Sequence, residues 1–154
     1  MAVSDAIMDA ISDFERLYNA LEKNEESKVG ASFRSRCREI PTLIEDVGLI
    51  PALSFCYAKA TKERYENIRK LIEEGGTIDE GDNISKGYAA FLYFVLKRLK
   101  TLNLISDNSV AEPIEALKEL RDLKGSVARK LLRPYIIQLK KLSEAVFKPE
   151  GEGK

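Results

Sequence analysis

Histidine is missing from the chain altogether, and so is tryptophan. Without histidine there is no Ser–His or Cys–His nucleophile pair, no His-containing zinc site and no imidazole switch near neutral pH. Cysteine occurs twice, at Cys37 and Cys56, with no CxxC spacing, so neither a thiol-metal site nor a disulfide framework is suggested. Long apolar runs are missing too. The longest, Tyr88 to Leu96, falls far short of the roughly 18 residues that suggest a membrane span. Residues Met1 to Ala10 carry acids and no basic segment, which argues against a signal peptide and for a cytoplasmic protein. Net charge is absent as well, with 25 basic residues against 25 acidic ones. A neutral chain is not held on nucleic acid or membrane by its overall charge, although a local patch remains open to it. The single glutamine, with abundant lysine and glutamate, hints at a thermophile.

What is present is helical periodicity. The 154 residues are 44% hydrophobic and 32% charged, which fits one folded domain. Ile7, Ile11, Phe14, Leu17, Tyr18 and Leu21 recur at three- and four-residue steps, predicting a helix from about Ser4 to Lys23 with Ser4 or Asp5 as its cap. After a polar link at Asn24–Ser27, a second stripe runs Val29, Phe33, Cys37, Ile40 and Ile44, with a kink or stop expected near Glu39–Ile40, ahead of Pro41. Gly48 ends that segment, and Pro51 suits the first turn of the next, which continues to Glu74. A loop follows at Gly75–Asn83. Ser85 is the expected cap of a helix reaching Thr101 whose centre is apolar on all sides, as in a helix that others wrap around. A short helix with Pro113 in its first turn and a last one from about Ser126 to Phe147, bent at Pro134, complete the pattern. The expectation is an all-α, single-domain bundle of five or six helices over residues 1–148, with a flexible tail at 149–154.

Neutrality hides segregation. Residues 1–26 hold two bases against seven acids, residues 28–38 four bases and no acid, residues 39–83 five against ten, and residues 84–148 thirteen against six. At about 100° per residue, Arg129, Arg133 and Lys140 fall within roughly 40° of one another on the last helix, with Lys130 and Lys141 beside them. Leu131, Tyr135, Leu139, Leu142 and Val146 form the expected apolar arc, while Ile137 and Glu144 intrude on the basic face. Arg34 and Arg38 point away from the second stripe, Arg36 lies next to it in a packing position, and Lys59 and Lys62 point outward from the third helix. Two readings stay open: solvated faces paired with acids of neighbouring helices, or a surface that tracks phosphates without reading bases.

Other candidates carry less. The acids at Asp79–Asp82 lack the ligand alternation and closing Glu of an EF-hand, and Gly75-Gly76 does not precede a P-loop Lys. Cys37 and Cys56 read as small core hydrophobes, the tyrosines as packing groups, with Tyr65 far from its helix's apolar arc. No pair of carboxylates stands out for acid–base work, so no catalytic residue, metal ligand or cofactor is assigned.

One stretch resembles a known family. Arg34-Ser35-Arg36-Cys37-Arg38-Glu39-Ile40-Pro41-Thr42-Leu43-Ile44, followed by Gly48-Leu49-Ile50-Pro51-Ala52-Leu53-Ser54-Phe55, is similar to the small subunit of the Cmr complex, the type III-B CRISPR effector. Lys59 matches that family's basic residue in the following helix, and Leu139-Lys140-Lys141-Leu142-Ser143-Glu144-Ala145 resembles its closing helix. The resemblance implies a non-catalytic building block that stacks with neighbouring copies as an inner filament. It would lie along crRNA and target RNA, beside the repeated backbone subunit and the large polymerase-like subunit. Arg34, Arg38, Lys59, Lys62, Arg129, Lys130, Arg133, Lys140 and Lys141 would face RNA. Asp5, Asp9 and Asp13 would meet basic surfaces of the next copy. The rival expectation is a helical adaptor or dimerisation module whose basic face binds an acidic protein.

Overall fold

The computed structural model describes residues 3–23, 27–76, 82–121 and 123–151. The link at 24–26, the loop at 77–81 with Asp79 and Glu80, the side chains of Ser4 and Lys124, and the end of the tail at 152–154 lie outside the described residues. Among the described residues seven α-helices and one 3-10 turn follow in order: α1 Val3–Lys23, α2 Ser27–Val47, α3 Leu49–Ala60, α4 Lys62–Glu74, α5 Asn83–Thr101, the turn Asp107–Val110, α6 Pro113–Glu119 and α7 Leu123–Val146. No strand occurs among the described residues, so the all-α expectation holds with one or two more helices than anticipated. No described helix is long and apolar enough to cross a membrane.

Helix α5 is the axis of the bundle. Every residue from Lys86 to Leu96 is buried, so α2, α3 and α4 pack around it and α1 and α7 close the remaining side. Small residues let α2 come close: a Cβ at Gly87 would lie 1.9 Å from Ser32 Oγ. That hydroxyl instead donates to the Ile84 carbonyl at 3.1 Å. Phe33 meets Phe94 edge-on at 6.0 Å between ring centroids. Asp82, rather than Ser85, caps α5, accepting from the Ile84 amide at 2.9 Å, and the Ser85 hydroxyl donates to the same carboxylate at 3.0 Å.

Helix α2 continues through Pro41, so of the kink or stop expected there the stop does not occur. Its stripe of Val29, Phe33, Cys37, Ile40 and Ile44 is buried on both sides of the proline, and that continuous packing outweighs one lost backbone bond. The expected long third helix is instead two. Thr61 sits at φ 72, takes the Tyr57 carbonyl at 2.8 Å, and caps α4 through its side chain. The break gives α4 its own buried face, Tyr65, Ile68, Leu71 and Ile72. Tyr65, read from sequence as off the arc, is therefore in the core, with its hydroxyl donating to the Val110 carbonyl at 2.5 Å. The 3-10 turn and α6 replace the single short helix, and α7 starts at Leu123, ahead of the expected Ser126. Gly48, at φ 93, makes the turn from α2 into α3, as its sequence position suggested.

Two faces are rotated from their expected positions. On α1 the buried residues are Ala6, Ala10, Asp13, Phe14, Leu17 and Leu21, while Ile11 and Tyr18 are exposed. On α7 they are Ala128, Leu132, Tyr135, Ile136, Leu139 and Ser143, while Leu131 and Val146 are exposed. Each face turns by about 50°, half a residue step. The cause is polar. Asp13 on α1 is 2% exposed and accepts from the Tyr135 hydroxyl of α7 at 2.6 Å. Lys97 of α5 donates to the other Asp13 oxygen at 2.8 Å, and Arg98 of α5 pairs with Asp9 at 2.9 Å. Hydrophobic periodicity alone aims these helices by their largest apolar residues, whereas on α1 the buried carboxylate turns the helix toward Asp13.

Burial also holds protons on the core. It raises the Cys37 thiol far above its ordinary value and pushes the Cys56 thiol up to about 12. Desolvation lifts the Tyr65, Tyr93 and Tyr135 phenols as well, and with the Glu39 hydrogen bond takes Tyr88 up to about 12. Each folded value lies above its unfolded one, so above roughly pH 9–10 the native state keeps protons that the unfolded chain releases. Stability is therefore fully present below that range and falls as pH rises through it. The urea midpoint is expected to hold steady from pH 7 to about 8.5 and to drop continuously by pH 11. A midpoint unchanged at pH 11 contradicts this burial pattern.

Candidate nucleic-acid interface

The cations predicted from sequence divide into two groups. Arg38 on α2 pairs with Glu144 on α7 at 3.3 Å, and Arg133 on α7 pairs with Glu45 on α2. Two ion pairs of opposite polarity thus bridge the α2–α7 seam, and both arginines remain well exposed, at 57% and 62%. These two follow the neighbouring-helix pairing that the sequence left open. They are accessible, but their charge is already partly answered.

The others make no ion pair among the described residues. Lys130 and Lys141 are exposed, and Arg129 and Lys140 are half-buried along the same outer side of α7. The only acid of α7 is Glu144, already taken by Arg38. Between α2 and α7, Pro41, Ile44, Ile136 and Ile137 line a small groove of about 50 Å³ with Arg129 and Arg133 at its edge. Lys59 and Lys62 flank the Thr61 break, both exposed, with the Lys59 ammonium 5.5 Å from the centre of the Phe55 ring. Arg34 is half-buried, and its Nε is shielded without a hydrogen-bond partner among the described residues. The structure therefore places Arg129, Lys130, Lys140 and Lys141 together on α7, and puts Lys59 and Lys62 on a separate corner.

Arg36 is a packing residue, as its position beside the apolar stripe suggested. Its guanidinium lies 4.4 Å from the Tyr88 ring centre and pairs with Glu150 at 3.2 Å, drawing the segment after α7 back onto α2. The acids of α1 depart from expectation. Asp13 is enclosed by Lys97 and Tyr135, and Asp9 pairs with both Lys97, at 3.7 Å, and Arg98. Neither is available to a second copy, because both balance cations of the central helix. Asp5 stays exposed. No cluster of three or more potential metal ligands occurs among the described residues.

These features define a class: a small all-α bundle whose outward chemistry lies in cations held on helix faces. Its family is recognisable. The family of CRISPR-associated proteins described as Cas_Cmr5 matches residues 11–102, from α1 to the end of α5, and the chain belongs to it. A relative described as "CRISPR system CMR subunit Cmr5", from Saccharolobus solfataricus, is 29% identical over 146 residues, covering 90% of each chain. The fold recurs in a chain of the type III-B Cmr-beta structure bound to cognate target RNA and AMPPnP, at TM-score 0.80 and 20% identity, covering 96% of this chain and 99% of that one. It recurs likewise in the type III-B Cmr-beta complex bound to non-cognate target RNA, at TM-score 0.80 and 22% identity, covering 94% and 97%.

Exposed and buried pairs are expected to differ sharply in energy. Asp13→Ala leaves Lys97 and Tyr135 without their buried acceptor and is expected to cost about 3–5 kcal/mol. Arg133→Ala or Glu45→Ala is expected to cost less than about 1 kcal/mol, with a coupling of similar size in the double-mutant cycle. Urea unfolding measures both. A larger loss at Arg133 than at Asp13 reverses this assignment of what is structural and what is left for function.

Proposed function

We propose that the chain is a non-catalytic small subunit of a CRISPR RNA-guided, type III-B RNA-targeting effector, working in the cytoplasm. Copies of it stack as the inner filament, beside the repeated backbone subunit and the large polymerase-like subunit. The observation that carries this reading is family membership over residues 11–102, joined to a fold shared over nearly the whole chain with a component of RNA-bound Cmr complexes.

The RNA contact runs through Arg129, Lys130, Lys140 and Lys141 of α7, whose single acid is engaged elsewhere. Arg133 and Arg38 join by exchanging their intramolecular carboxylates for phosphates. Arg34 on α2, and Lys59 and Lys62 on their separate corner, supply further positive charge. Such contacts follow backbone phosphates rather than bases, so crRNA and target RNA of any sequence are accommodated. A neutral protein holds RNA weakly by itself, and aligned copies supply the avidity. With Asp9 and Asp13 internal, the acidic side of a copy-to-copy contact falls to Asp5, Glu15 and Glu22, exposed on α1.

Affinity purification of the tagged chain from its native host, with bound RNA sequenced, tests the reading. Other Cmr subunits and guide-length RNAs carrying a CRISPR repeat tag are expected. Recovery of one acidic protein and no RNA overturns the proposal in favour of an adaptor.

A further inference from the structure

Away from α7, a second concentration of charge surrounds an open hollow of about 370 Å³ lined by residues of α1, α4, α5, the 3-10 turn and Ala111 just after it. Its wall carries four cations, Arg16, Arg69, Lys97 and Lys100, against two carboxylates, Glu73 and Asp107. Much of this charge is already committed. Arg69 Nη1 donates to one Glu73 oxygen at 3.1 Å and the Tyr93 hydroxyl to the other at 3.0 Å. Lys97 donates to Asp13. Arg16 and Lys100 are different: both are exposed and neither makes an ion pair among the described residues. They come from separate helices, α1 and α5, and border one space.

We propose that this cavity is an anion site for a phosphate ester, with Arg16 and Lys100 as its two primary contacts. Its volume lies within the range of small-molecule pockets and is far larger than a single carboxylate needs, which favours a nucleotide-sized group over an acidic side chain. Arg16 supplies a planar fork of donors and Lys100 a mobile point charge, a combination suited to phosphate oxygens. The Glu73–Arg69–Tyr93 hydrogen bonds fix the wall and occupy both oxygens of its carboxylate, leaving Asp107 as the one acid in the wall without a described partner. None of the nine cations assigned to the α7 face and its neighbours belongs to this site. It stands independently of assembly into an effector.

The phosphate has two sources of the same chemistry, an RNA backbone diester or the phosphates of a free nucleotide. The free chain, titrated in turn with ATP, inorganic pyrophosphate and an oligouridine lacking terminal phosphates, distinguishes them by NMR. Shifts are expected at the Arg16 Nε–H and at the Tyr93, Lys100 and Val110 amides. Arg16→Gln with Lys100→Gln is expected to abolish these shifts while leaving the rest of the spectrum folded, and Lys141→Gln to retain them. Response to the oligouridine identifies the backbone as ligand, and response to ATP and pyrophosphate alone identifies a free nucleotide. For RNA, the log–log salt slope of binding is expected to fall by about 0.7 for each of the two cations removed. No shift at the cavity with any probe, or equal shifts in the folded double variant, overturns the proposal.

Discussion

A helix that is apolar on every side has to be covered on every side, and α5 sets that requirement for the whole molecule. Its run from Tyr88 to Leu96 offers no face to water, so α2, α3, α4 and the α1–α7 pair are arranged around it. The cover also has to answer charge. Lys97 and Arg98, one turn from the end of α5, point into the α1–α7 contact, and Asp9 and Asp13 are drawn in to meet them. The result is a neutral cluster of two cations and two carboxylates, completed by the Tyr135 hydroxyl. Asp13, held by both Lys97 and Tyr135 and 2% exposed, is the member whose loss leaves a buried donor without its acceptor, which gives the cluster its structural weight.

That internal use of acid shapes the exterior. Two acids of α1 serve α5, Glu144 of α7 serves Arg38, and Glu45 of α2 serves Arg133. What remains along α7 is a set of lysines and one arginine that make no ion pair among the described residues, in a chain whose formal charge is zero. Net charge is therefore a poor guide to what this protein binds. On the proposed reading, the distribution of carboxylates between core and surface decides it, with a phosphate backbone as the partner of a row of cations that make no ion pair among the described residues.

Sequence legibility followed the same division. The all-α class, the buried α5, the Gly48 turn, the core thiols and the packing role of Arg36 were readable, because each rests on apolar periodicity or a local backbone rule. The Thr61 break was not, since a threonine at φ 72 has no compositional mark and the apolar pattern runs across it. Nor was the half-residue rotation of α1 and α7, which on α1 is set by a buried carboxylate that periodicity counts as a surface residue. The candidate interface was readable as a list of cations. Which of them carry free charge depended on cross-helix distances, and so did the grouping of Arg16 with Lys100 around one cavity.

The central claim is that the α7 cations left unpaired by the fold are what this chain offers to RNA. The most direct measurement is the salt dependence of target-RNA affinity for the reassembled effector carrying either the native chain or Arg129→Glu, Lys130→Glu and Lys141→Glu together. The account predicts intact assembly, weaker binding and a shallower slope, by about 0.7 per lost phosphate contact on a single strand. An intact complex with unchanged affinity and slope contradicts it.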